Sequence, residues 1–422
     1  MKTTNRVAVV ALFSVFSMGA FAQAVFNIVT VPGASPDALI AINNAGQVLI
    51  NGGTQVSVWG RIEGTQNMVM SGANSSGAAI NNTGEVAGAA DPSQSRLLQG
   101  FVWHAAGGSQ WLGSLGSGYS IATGLNDAGS VVGLSFTATN QQHAFLWQAE
   151  SGMHDLTPGV TTAGGATAMA INSTGEVAGY YFPNGSVNTL GFLWTPAAGL
   201  QNLGPAGTLA LGIDDAGNVI GQMPVASGYR HAFSWTAVAG LEDLGTLGGG
   251  ESSATSINRL GWILGTSQTT AKNGFQHGFL WTAAGGMKDL NSMAPFASKN
   301  QQTYSLHAND QGVIAISTNK GGFLLSPKMK VKITSSLDPS LAGQAVTLTA
   351  TVASFIGGPP DGETVQFTNN GAPLGTATVK GGVAQLTISN LTLGRHKIVA
   401  TYVGDENYLP AVSLLVNQVV NQ

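Results

Sequence analysis

The chain of 422 residues contains no cysteine. That excludes disulfides, thiolate metal sites, cysteine nucleophiles and a lipid-modified N-terminal cysteine. Charge is scarce as well: Asp, Glu, Lys and Arg make up 9% of the residues, against roughly 25% in an average soluble domain. The net charge is −4 and no run of Lys or Arg occurs, so the clustered basic footprint of a nucleic-acid-binding protein is missing. Beyond residue 22 no stretch approaches the roughly 18 apolar residues of a transmembrane helix. Nor is there a Gly-x-Ser-x-Gly nucleophile elbow, a His-Glu-x-x-His zinc motif or a phosphate-cradling loop. No catalytic residue, metal ligand or cofactor is therefore assigned.

The first residues explain the destination. Lys2 and Arg6 lead into the apolar run VAVVALFSVFSMGAFA, which ends on Ala20-Phe21-Ala22. This is the pattern of a signal peptide. Residues 1–22 are expected to be cleaved on export, leaving no membrane span. The mature chain is then secreted or displayed at the cell surface, with the periplasm as the other compartment open to it.

What the chain has in abundance is glycine, 59 residues in all, and a repeat. Aligning on Ile-Asn-x-x-Gly gives an Asn column of Asn43, Asn81, Asn126, Asn172, Asp214, Asn258 and Asn309. Three places later stand Gly46, Gly84, Gly129, Gly175, Gly217, Gly261 and Gly312, without exception. A third column reads Trp59, Trp103, Trp147, Trp194, Trp235, Trp281 and Leu325. An Asn or Asp opening a tight turn bonds its side-chain oxygen to backbone two residues on. A glycine three places later takes the left-handed conformation that closes the hairpin. The Asn column is thus expected to form turns; groups such as NDAG lack the alternating oxygens and closing Glu of a calcium loop.

Each repeat holds four short strands, in the fourth case ATAMAIN (a), EVAGYY (b), LGFLW (c) and LQNLG (d). Four strands in about 44 residues fit a propeller blade. The expected fold is all-β: a seven-bladed β-propeller over residues 23–327, followed by an Ig-like β-sandwich over 328–422. The seventh repeat lacks its own strand d, and VFNIVTVPG at 25–33 is expected to supply it, closing the ring and removing an open edge. Strand a carries small residues such as Ala41, Ala79 and Gly124 on one face, which suits the crowded centre; Ile80 and Ile171 are expected on the opposite face. His307 is the one bulky, titratable member of the small-residue column; local hydrogen bonds are expected to satisfy it, the alternative being a channel ligand or a proton-transfer group.

HAFLW at 143–147, HAFSW at 231–235 and HGFLW at 277–281, with GLEDLGTLGGG at 240–250, resemble bacterial extracellular HAF repeats. The resemblance spans roughly residues 38–327 and implies secretion and a propeller-like fold. The His recurs as His143, His231 and His277, while other repeats have Gln99-Gly100 or Leu190-Gly191. The tail alternates apolar and polar residues between Gly, Asn and Pro turns, a sandwich pattern. In LGTATVKGGVAQL and ATYVGDENY it resembles bacterial Ig-like repeat domains, which implies a spacer or adhesive module. Tyr402 and Tyr408 are expected in its core rather than in contacts.

Loop lengths point to a functional face. In a propeller the a–b and c–d turns share one face, and here they are nearly uniform. The b–c and d–a loops share the other and vary widely, from GPAGT to NSMAPFASKNQQT. Variable loops on a rigid scaffold are where recognition usually sits. That face gathers Arg96, Tyr119, Tyr181, Phe182, Tyr229, Arg230, Lys272, Phe275 and Tyr304. Tyr119, Tyr229, Arg230 and Tyr304 are the candidate ligand-binding residues, for a glycan or an extracellular or surface protein. The alternatives are a structural, self-associating envelope protein and a carbohydrate-active enzyme. The last needs two carboxylates near one bond, or His307 beside a channel carboxylate.

Overall fold

The computed structural model describes residues 25–35, 38–52, 55–68, 73–93, 96–161, 164–270, 275–294 and 301–422. The expected signal peptide and Lys272 lie outside the described residues. Those residues form seven four-stranded antiparallel sheets and a C-terminal pair of sheets, with a single one-turn helix at Leu290–Met293 capped by Asp289. The fourth sheet is typical: Ala166–Ile171, Val177–Tyr181, Leu190–Thr195 and Gly199–Leu203 lie side by side in chain order. The seven inner strands are Leu39–Ile42, Ala73–Ile80, Gly116–Leu125, Ala166–Ile171, Leu209–Ile213, Gly248–Ile257 and Thr303–Ala308. Each contacts the inner strand of the next sheet, and the last contacts the first. The arrangement is propeller-like.

Closure comes from the N-terminal segment. Phe26–Thr30 pairs antiparallel with Gly321–Pro327, Phe26 opposite Pro327 and Thr30 opposite Phe323. It completes the seventh sheet, and so covers an edge that would otherwise present unpaired N–H and C=O groups.

The repeated turn does more than reverse the chain. Asn81 Oδ1 accepts the N–H groups of Thr83 at 3.1 Å and Glu85 at 2.9 Å, and Gly84 follows at φ 80°. Its amide points sideways, donating to the Asn126 carbonyl of the next sheet. Asn43, Asn126, Asn172, Asn258 and Asn309 do the same, at 2.8–3.1 Å, and Asn309 reaches back to the Asn43 carbonyl. Asp214 breaks the series because a carboxylate has no N–H to give. At that seam Arg259 grips Asp215 instead, Nη2 to Oδ2 at 2.6 Å.

Apolar packing follows the same seams. Seven clusters each straddle two adjacent sheets; one joins Val132, Leu146, Ile171, Val177 and Phe192 of the third and fourth. Inner strands cross the second strands so closely that a Cβ on Gly221 would overlap the Leu209 carbonyl oxygen and sit 3.0 Å from the Phe233 ring. The glycine of the EVAG-type stretch is there for that approach.

One expectation needs correction. Every inner strand carries a register shift, between Ala168 and Ala170 in the fourth sheet and at the matching place in five others. In the seventh it falls between Thr303 and Ser305. A bulge breaks the alternation of period two, so Ile80 and Ile171, which fill the seam clusters as expected, also line the axis and do not point away from it.

The C-terminal pair of sheets encloses one core, including Leu348, Val352, Phe367, Ile398 and Tyr402. Its loop Val403–Pro410 seats on the a–b and c–d turns of the first and seventh sheets. Asn407 accepts from the Asn309 amide at 2.7 Å and donates to the Asn44 carbonyl at 3.0 Å. Glu406 accepts from the Ile62 N–H at 2.8 Å. Phe355 stacks on Trp262 with centroids 5.8 Å apart. Tyr402 is a core residue, as expected. Tyr408 is buried too, yet its hydroxyl donates to the Gln311 carbonyl at 2.9 Å, so it is also a contact. A core ring with a polar tip reaches a neighbouring domain without leaving its own core. In the same region burial and the nearby Asp405 carboxylate push Glu363 up to about 7.

Candidate functional site

The inner strands surround an axis built in layers. At the a–b end stands the ring of Asn side chains, with Asn44, Asn82, Asp127, Ser173, Asp215, Arg259 and Asp310 around a recess of about 210 Å³. Its carboxylates are engaged: Asp127 accepts from Asn82, Asp310 from Arg259 and Asn44, and Asp215 from Ser173 and Arg259. Burial opposes the charge of Asp215, but those donors hold its carboxyl below the usual range. The recess is a polar clamp on the turns. Among the described residues no group of three or more His, Cys, Asp or Glu is placed to hold a metal ion.

Beneath it Ile42, Ile80, Leu125, Ile171, Ile213 and Ile257 ring the axis. Below these lies a cavity of about 450 Å³, within the usual size range of ligand pockets. Small residues, among them Ala41, Ala79, Gly124, Ala170 and Gly212, form much of its wall. Thr255, Ser256, Tyr304, Ser305 and His307 give a polar arc on the sixth and seventh sheets. His307 is not satisfied by local hydrogen bonds, contrary to expectation: it faces the cavity with the rest of the small-residue column, and its ring has no hydrogen-bond partner among the described residues. Desolvation lowers its pKa to about 4, so it is neutral at physiological pH. No carboxylate lines this cavity among the described residues.

The four residues chosen from the sequence do not form one constellation. Tyr304, 40% exposed, stands at the cavity edge. Tyr229 is 52% exposed and lies over Gly250 of the next sheet. Arg230 donates from Nη1 to the Gly207 carbonyl at 2.9 Å, tethering the preceding loop. Tyr119 packs edge-on against Phe136 with centroids 5.3 Å apart, bracing its own sheet. Two of the four thus have evident structural partners.

The His of the repeat has a structural duty as well. His143 meets Asp155 at 2.6 Å, His231 meets Asp243 at 2.9 Å and His277 meets Asp289 at 2.9 Å. Each Asp also accepts an N–H two residues on, from Thr157, Gly245 or Asn291. The pair therefore ties the base of a b–c loop to the base of the following d–a loop. In the fourth sheet, where the His position is Leu190, the Tyr181 hydroxyl reaches Asn202 at 3.0 Å instead. The constant spacing of 12 residues between these His and Asp positions was the signal available in the sequence.

Comparison with known proteins bears on the tail above all. Residues 333–421 match the family described as Bacterial Ig-like domain (group 3). No curated protein matches the chain. Among solved structures, fibronectin(III)-like modules of CbhA from Clostridium thermocellum share 22% identity, covering 21% of this chain and 93% of theirs, with a TM-score of 0.18. The extracellular domain of a one component system from B. thetaiotaomicron shares 10% identity and covers 95% of this chain, with a TM-score of 0.44; this chain spans only 58% of it. AofleA from Arthrobotrys oligospora shares 10% identity, covering 87% of this chain and 93–94% of its own length across two structures, at a TM-score of 0.32 in the first. At these scores the likeness carries nothing about ligands. Among the described residues no helix is long and apolar enough to cross a membrane.

Proposed function

We propose that the chain is a secreted or surface-displayed bacterial binding protein: a signal peptide at 1–22, a seven-bladed β-propeller of HAF-type repeats at 23–327, and an Ig-like module at 328–422. In this reading the b–c and d–a loops present a recognition face to a glycan or extracellular matrix ligand. The observation that carries it is the seat of the Ig-like module. Asn407, Glu406 and Tyr408 hold the a–b and c–d turn face, while the variable loops and the exposed Tyr229 and Tyr304 belong to the opposite side. The module thus leaves the variable face uncovered.

The test is retention of the full chain on immobilised polysaccharides and matrix proteins, with a Tyr229→Ala, Tyr304→Ala variant alongside. Retention lost in the variant supports the recognition face. Absence of retention by either protein removes it. One observation favours self-association as a second reading: Val412 and Leu414 of the sandwich are 63% and 89% exposed. Concentration-dependent sedimentation abolished by Leu414→Ser would move that reading ahead.

A further inference from the structure

The axial cavity holds hydrogen-bonding capacity that the protein does not use. Thr123 and Ser305 direct their hydroxyls to the Ala168 and Leu39 carbonyls. Ser256 accepts from the Ala308 N–H at 3.2 Å, which leaves its own proton to give. The Thr255 hydroxyl and both ring nitrogens of His307 have no partner among the described residues, and both residues line the cavity, His307 half-buried and Thr255 exposed. Polar atoms that face an open cavity without a protein partner are available to a ligand or to water.

The distribution of polarity narrows the ligand. The polar arc lies on the sixth and seventh sheets, and the facing wall is Ala41, Ala79, Ala170 and Gly212. The lining side chains are uncharged, His307 being neutral in this setting. A charged group moved into such a space loses its hydration without gaining a counter-ion. A ring with hydroxyls along one edge and C–H groups across a face matches both walls.

We propose that the axial cavity binds a neutral sugar residue, His307 and Thr255 bonding its hydroxyls and the Ala/Gly wall packing its apolar face. Tyr304 stands at the entrance on the loop side. This deepens the recognition reading above and rests on it for the ligand class. It adds that the terminal residue of the glycan enters the axis rather than lying across the loops.

The experiment uses the full chain with ¹⁵N-labelled histidine, titrated with methyl glycosides of neutral hexoses, of a hexuronic acid and of a hexosamine, followed by the imidazole resonances. Neutral glycosides are expected to shift the His307 signals, the charged ones not. Ala170→Leu, which fills the opposite wall and leaves the polar arc intact, is expected to weaken neutral-sugar binding at least tenfold. His307→Leu is expected to weaken it about tenfold, the loss of one or two hydrogen bonds. Equal binding of the uronic acid overturns the charge argument and the proposal. Polysaccharide retention with unmoved His307 signals and no effect of Ala170→Leu overturns the cavity while leaving the loop-face reading standing. Neither retention nor His307 shifts overturns both. The wild-type titration stands by itself if a variant does not fold.

Discussion

The ring divides its apolar packing among seven clusters, each astride one seam, whereas the sandwich closes one cluster between two sheets. A four-stranded sheet of the ring cannot bury its faces alone, so its stability is lent by its neighbours. That places unusual weight on the seams. They are tied at the turns by Asn amides and closed by Phe26–Thr30. The sandwich needs no such ties, and it instead lends Asn407 to the seam between the seventh and first sheets. The difference teaches that redundancy in sequence produced dependence in structure: every repeat is nearly the same, and none is dispensable.

Core truncations test this division most strongly. Phe192 belongs to the cluster between the third and fourth sheets, and Phe367 to the sandwich core. Either replacement by Ala should cost about 3–5 kcal/mol, transfer plus cavity. In scanning calorimetry Phe192→Ala should lower a transition belonging to the ring and spare that of the sandwich, and Phe367→Ala the reverse. If both variants lower one shared transition equally, the two regions are a single cooperative unit and the comparison collapses.

Acidity should separate the regions next, in opposite directions. His307 titrates at about 4 in the fold against 6.5 for the free side chain, because burial disfavours its charge. The unfolded chain therefore takes up the proton first, and this contribution is complete above pH 6.5 and lost as pH falls toward 4. It amounts to ~3 kcal/mol in the ring. Glu363 is shifted the other way, from 4.5 up to about 7, by burial and then by Asp405. Its folded form holds the proton longer, so stability is full below 4.5 and lost as pH rises through 7. Partial exposure reduces that to about 1–2 kcal/mol. Denaturant melts of His307→Asn and Glu363→Gln against pH should flatten the acid limb in the first and the alkaline limb in the second. An unchanged acid limb in His307→Asn would remove the axial cavity from the account of acid sensitivity.

The junction comes third. Asn407→Ala deletes the bond to the Asn44 carbonyl and leaves the Asn309 amide one acceptor short, though still bound to the Asn43 carbonyl. A loss of about 1–2 kcal/mol is expected, with faster proteolysis in the 403–410 loop. Wild-type cleavage rates would mean that the Phe355–Trp262 stack and Glu406 hold the module unaided.

Much of the ring was legible because its signals are local. The Asn–Gly turns, the four strands per repeat and the missing last strand depend on neighbours a few residues apart or on simple counting. The bulges were not legible: they arise where seven inner strands crowd one axis, and they brought Ile80 and Ile171 to that axis, while His307 lies on the small-residue face that alternation assigned it. Tyr119 and Arg230 read as binding residues because an exposed aromatic or guanidinium looks alike in sequence whether or not it also braces the fold, as these do against Phe136 and the Gly207 carbonyl. Tyr408 read as core, which it is; its second role depended on where another domain lies.

The smallest prediction concerns the one irregular seam. In the second and fourth sheets Asn81 and Asn172 give amide protons both to the next sheet's carbonyl and to Glu85 or Glu176 four residues on. The fifth sheet reverses the polarity: Asp214 accepts from the Asn218 amide at 2.9 Å and has nothing to offer Asn258. Asp214→Asn alone supplies the missing donor and sets two amides face to face, a pairing that Asn43 and Gln47 make at 2.9 Å in the first sheet. Asn218→Glu alone sets two carboxylates together. The double variant restores both bonds, so it should exceed the sum of the single changes, the signature of coupled neighbours. A net gain of about 0.5–1 kcal/mol over wild type is expected for one added tie. With the tie in place, Arg259→Ala should cost little, since an exposed ion pair contributes roughly 0–1 kcal/mol at best; in the wild-type background it should cost visibly more. Additive singles, or an Arg259→Ala penalty equal in both backgrounds, would mean that the seam is held by its apolar cluster and that the Asn ring is a consequence of closure and not one of its causes.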